Sequence, residues 1–74
     1  MSDDKLVDLS SYPALMTVQE VAGVLHLSVD AVRARIRARR LASAKIGHSV
    51  RVPRIDLERY IGERIVPAQR DGRG

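Results

Sequence analysis

Two helix-start signals, set so close that no loop fits between the helices they open, constrain this chain most. Thr17-Val18-Gln19-Glu20 is a capping box. The Thr17 hydroxyl can accept from the Glu20 amide while the Glu20 carboxylate reaches back to the Thr17 N–H. Val18, Val21, Ala22 and Leu25 then recur at helical spacing, and the helix should end near Leu25 or His26. Ser28 is a second N-cap, only His26 and Leu27 further on. The helix it opens should run from Val29 to about Arg39, with Val29, Val32 and Ile36 as its buried stripe. Two helices joined so tightly cannot lie antiparallel with much contact. They must cross steeply, which is helix-turn-helix geometry.

Charge is sorted by position. Between residues 31 and 55 lie Arg33, Arg35, Arg37, Arg39, Arg40, Lys45, Arg51 and Arg54, and no acid. All nine acidic residues lie elsewhere, so the formal +4 of the chain hides a strongly basic third. Solubility alone does not require segregation by sign, whereas a basic patch attracts a polyanion and speeds encounter with it. Arginine predominates, and its fork suits phosphate and guanine edges in a way lysine does not. A GC-rich coding bias would favour arginine too. On the second helix Ala31, Ala34 and Ala38 fall opposite the apolar stripe, flanked by Asp30, Arg35 and Arg37. Alanine needs no reason beyond helix propensity, but a smooth face with cationic margins can also approach a groove closely. Arg33 and Arg40, near the stripe, can pack their stems on apolar surface and send the guanidinium outward.

After Arg40 the period changes. Ala44-Lys45-Ile46 and Val50-Arg51-Val52 alternate around Gly47-His48-Ser49, which predicts a small β-hairpin. Val50 and Val52 share one face of their strand with Arg51 on the other, and Lys45 likewise opposes Ala44 and Ile46. A two-stranded hairpin is not stable alone, so its apolar face must lean on the helices. Pro53 suits the first turn of a last helix carrying Ile55, Leu57, Tyr60 and Ile61 and running to about Arg64. Tyr60 reads as the edge of the core. Residues 1–15 show no sustained period and are expected to form a loose arm, with Leu6, Val7 and Leu9 available to dock on the core or a neighbour. Residues 16–64 form the domain, and the Gly-rich stretch 65–74 is expected to be disordered. The expected class is mainly α with a β-hairpin wing, a winged helix-turn-helix.

The exclusions are as useful. With no cysteine, disulfides and thiolate metal sites are ruled out, and the two histidines are too far apart to suggest a metal site. No apolar run approaches a membrane span and the acidic start is unlike a secretory signal, so a cytoplasmic location is expected. No nucleophile and base, Gly-rich phosphate loop or acidic cluster stands out, and an enzyme is not expected. No cofactor is implied. His26 reads as a turn or capping residue. His48 at the wing tip is open between a phosphate or minor-groove contact and none. Asp30 can accept from a cytosine amino group or simply favour the helix dipole.

Residues 16–61 resemble the excisionase-type family of small MerR-like winged-helix DNA-binding domains. The resemblance rests on Met16-Thr17-Val18-Gln19-Glu20-Val21-Ala22, Leu25-His26-Leu27-Ser28, Ala31-Val32, Ile36-Arg37, Leu41, Lys45-Ile46-Gly47, Arg51-Val52-Pro53-Arg54 and Leu57-Glu58-Arg59-Tyr60-Ile61. It implies that the second helix reads DNA and that the wing follows the backbone, with contacts from Asp30, Ala31, Ala34, Arg37, His48 and Ser49. The chain departs from the family at Ala34, often basic there, at Arg39 and Ala42, usually Gly and Pro, at Val50, commonly aromatic, and at His48-Ser49, often two arginines. These changes shift the implied contacts toward Arg33, Arg35 and Arg39. The candidate DNA-binding set is Ser28, Asp30, Ala31, Arg33, Ala34, Arg35, Arg37, Arg39, Lys45, His48, Ser49 and Arg51.

An eleven-residue helix is about 16 Å long and spans about five base pairs, too few for one protomer to be specific in a genome. Cooperation between protomers or with a partner is therefore expected. The resemblance implies an excisionase, a recombination directionality factor of an actinobacterial temperate phage. Such a factor binds attachment-site DNA cooperatively, on direct repeats, bends it, and helps the phage integrase run excision. The alternatives are a small transcription regulator on the same fold, or a module using its basic helix on acidic proteins or a membrane surface.

Overall fold

A computed structural model describes residues 8–66 of the chain. Its order is β1 (Leu15–Thr17), α1 (Val18–Leu25), α2 (Val29–Arg37), β2 (Ala44–Ile46), β3 (Ser49–Pro53) and α3 (Arg54–Glu63). The strands form one antiparallel sheet in the order β1-β3-β2. This is a winged helix-turn-helix, mainly α, with the expected wing.

Both caps form. Thr17 Oγ1 accepts from the Glu20 N–H at 3.0 Å, and Glu20 Oε1 accepts from the Thr17 N–H at 2.9 Å. Ser28 Oγ accepts from the Ala31 N–H at 3.0 Å. Between them α1 is stopped by His26, whose φ of 57° is left-handed, and the Leu27 N–H returns to the Ala22 carbonyl at 3.0 Å. That pairing is a Schellman end, which turns the chain within two residues and sets how α2 leaves α1. α2 ends at Arg37, two residues earlier than expected. Arg39 takes a φ of 63°, and the Arg40 and Arg39 N–H groups bond back to the Arg35 and Ile36 carbonyls. Pro53 stands one place before the helix the sequence assigned it to: it occupies the N-cap of α3, which starts at Arg54.

The strand β1 went unanticipated, because three residues are too few for a period. It changes how the wing is held. β3 lies in the middle, with Met16 opposite Val52 and Thr17 opposite Arg51 on one side, and Ala44 opposite Arg51 on the other. Met16 and Val52 are both fully buried. The register also fixes how the faces of the two wing strands match, which alternation left open. Directly opposed residues share a face, so Lys45, opposite Val50, belongs with the Val50/Val52 side. Ile46, opposite Ser49, belongs with Arg51 and is 54% exposed.

The core is aliphatic: Leu9, Met16, Val18, Val21, Ala22, Val32, Leu41, Val52 and Leu57. Leu9 belongs to the segment expected to be loose. It is 8% exposed, and its N–H donates to Glu58 Oε2 at 3.1 Å. The Tyr12 carbonyl accepts from Arg54 Nη1 at 2.7 Å, and the Ala14 carbonyl from the Arg54 N–H at 2.8 Å. Residues 8–14 therefore lie along α3, and a boundary at residue 16 cuts through β1. Leu6 and Val7, with the rest of residues 1–7, fall outside the described residues, as does most of the expected tail, 67–74.

Candidate nucleic-acid interface

The crossing set by the His26 turn leaves α2 with one side on the core and the other in solvent. Val32 is buried, Val29 and Ile36 pack partly against the core, and Asp30, Arg33, Ala34, Arg37 and Ala38 are exposed. Ala31 is half-buried, and the Ser28 hydroxyl already serves the Ala31 amide. Any further contact by Ser28 uses its own hydrogen.

A cleft of about 330 Å³ separates α2 from the wing. Its floor is Val18, Ile36 and Val50, and its rim carries Gln19, Arg33, Arg37, His48 and Arg51. Four residues singled out in the sequence thus meet in one place, from two elements far apart in the chain. Arg51 is held there by position and by a bond. It sits on the central strand between Thr17 and Ala44, and its Nη1 donates to the Val50 carbonyl at 3.1 Å. His48 reaches the rim because the wing turns in two residues. Gly47 supplies a φ of 62°, the pattern of a turn with glycine first.

Other candidates lie elsewhere. Arg39 lines a second concavity past the end of α2, with Arg37, Leu41, Ala42 and Ser43. Lys45 and Ser49 are exposed on the wing but do not line the cleft. Arg35 is on the opposite flank of α2. Its Nε donates to the Tyr60 hydroxyl at 3.2 Å and its Nη1 to the Ala31 carbonyl at 3.1 Å. It does not join the arginines of the cleft. Gln19 was missed in the sequence. It is the one polar side chain of the first turn of α1 that the capping box leaves over, and that remainder was the available signal.

The electrostatics are one-sided. The cleft has three guanidinium groups on its rim and no carboxylate. The salt bridges given by the described residues are Arg59–Asp56 at 3.1 Å and Arg64–Glu63 at 3.8 Å, both on α3 or its end. Cations left unneutralised around a concave surface concentrate positive potential there. No helix of the described residues is long and apolar enough to cross a membrane.

Comparison with known proteins fits this geometry. A family model described as a helix-turn-helix domain matches residues 15–65, which includes every element from β1 to α3. No curated protein and no solved structure matches the chain. The family includes excisionase-like DNA-binding proteins, and its domain binds DNA by sequence. With the match spanning well over half its length, the chain binds DNA and belongs to the helix-turn-helix domain family.

Proposed function

We propose that this protein is an excisionase of a temperate phage. In this reading it is a non-catalytic architectural factor, at work in the cytoplasm of the bacterial host. It binds direct repeats in an attachment-site arm cooperatively, bends that DNA, and directs the integrase toward excision. The supporting observation is a mismatch of scale. The second helix, which would do the reading, has only nine residues, about 14 Å and about four base pairs of rise, with a single wing beside it. A protomer that reads so little gains specificity by acting next to others on the same DNA. The resemblance of residues 16–61 to excisionase-type domains supports the same reading.

The test is a gel shift with footprinting on attachment-site DNA, with promoter DNA as the comparison. The expected result is a ladder of complexes and an extended footprint repeating at a fixed phase. If about six phosphates are neutralised, affinity should fall roughly a thousandfold between about 50 and 200 mM salt. A single compact footprint confined to a promoter would make the protein a transcription regulator instead. Saturable binding to acidic proteins or vesicles, with none to duplex DNA, would reject both.

A further inference from the structure

The cleft accounts for one margin of α2; the other margin carries a cluster that the cleft does not use. There the α2 guanidinium of Arg35 meets the end of α3. Arg35 Nε donates to the Tyr60 hydroxyl at 3.2 Å, and the Arg64 guanidinium lies 3.6 Å from the centroid of the same ring. Arg64 also donates from Nη1 to the Tyr60 carbonyl at 3.0 Å. Two cations are thus fastened around one tyrosine.

Arg35 has only neutral acceptors among the described residues, the Tyr60 oxygen and the Ala31 carbonyl. Its Nη2 group is uncommitted, and so is the Tyr60 hydroxyl hydrogen, because that oxygen accepts from Arg35. Two donors beside a fixed positive charge, with their own geometry set by three bonds, match the needs of an anionic oxygen. Position supplies the rest. A helix with its side chains is about 10–12 Å across and the major groove is about 12 Å wide, so each margin of an inserted helix lies beside the backbone of a different strand. Arg33, Arg37 and Arg51 flank one margin, and Arg35 flanks the other.

We propose that Arg35 and the Tyr60 hydroxyl form a phosphate-binding point for the strand opposite the wing. Arg64, stacked on the ring, holds Tyr60 in place and adds positive charge. The proposal rests on the DNA reading above and gives it a second grip: α2 is clamped between two backbones rather than held from the wing alone. Tyr60 becomes a binding residue and not merely the rim of the core.

The test uses the full chain and a duplex that the wild type footprints, with salt-dependent binding and phosphate-ethylation interference as readouts. Arg35→Gln should lower the slope of log affinity against log salt by about 0.9. It should also erase interference at phosphates on the strand away from the wing, while interference on the wing side persists. Tyr60→Phe, which removes only the hydroxyl, should weaken binding about threefold to tenfold with unchanged circular dichroism. If both variants keep the wild-type slope, affinity and interference pattern, the cluster is merely a brace between α2 and α3 and the proposal falls, with the DNA reading intact. If the wild type itself leaves no footprint on any duplex, the DNA reading fails and takes this site with it.

Discussion

Arg39 is where one side chain meets two demands. Its backbone is left-handed, a conformation that costs an L-residue roughly 1–2 kcal/mol and a glycine nothing. Its side chain is exposed just past the end of α2, beside Arg37. Glycine there would end α2 without strain, so arginine at this position carries a cost in stability. Arg39→Gly should raise the thermal midpoint, by up to about 1 kcal/mol in unfolding free energy, and weaken DNA binding at the same time. Calorimetry and a titration on one preparation check both signs, and a rise in affinity would remove Arg39 from the interface. Ser28 is the opposite case, a residue whose side chain is spent on the fold. Ser28→Ala should cost about 1 kcal/mol of stability by denaturant titration. At this scale the sequence was legible wherever a side chain bonds to nearby backbone, as at Thr17, Glu20 and Ser28. It named Arg35 as a candidate but was silent on its bond to Tyr60, which lies in another helix.

At the scale of elements, α1 and α2 could be read because their apolar spacing is regular and their starts are chemically marked. β1 could not, since its only token is Met16 sinking between two outward neighbours. Nor could the faces of β2, because alternation says that neighbours differ but not which set faces in. Pairing decides that, and pairing is a long-range fact: Lys45 joins the side of Val50 because the Gly47-His48 turn places the two opposite each other. α3 depends most on a single residue. Leu57 is its one fully buried side chain, the link between helix and sheet. Leu57→Ala should cost about 2–5 kcal/mol. Small domains have little more than that in total, so the variant should be largely unfolded by circular dichroism at 37 °C. Saturating DNA should restore part of the signal through linkage.

For the whole molecule, the segregation of charge that sequence disclosed is preserved in space: Arg33, Arg37 and Arg51 rim one cleft, and the described ion pairs sit at α3. What composition could not disclose is that the stretch before the domain contributes to it. Residues 8–14 lay Leu9 into the core and give Arg54 two carbonyls. Removing residues 1–14 while keeping β1 should therefore lower stability by about 1–3 kcal/mol, from the exposed Leu9 site alone. Chemical denaturation measures that loss, and a truncated chain as stable as the full one would contradict the docking. Cooperativity on DNA, measured on the same truncation, separates this structural share from any contact between protomers.

Thr17 has a further consequence. The same residue ends β1, caps α1 and stands opposite Arg51 on the strand that leads out of the wing. Wing, central strand and first helix are therefore spliced at one joint, with α3 continuing directly from the other end of that strand. Such a frame resists hinging, because swinging the wing would shear the Met16–Val52 pair at the bottom of the core. When a duplex and this surface differ in shape, the protein is the stiffer body. Under the proposed reading the deformation would fall on the DNA, and base steps that yield easily would become part of what the protein selects.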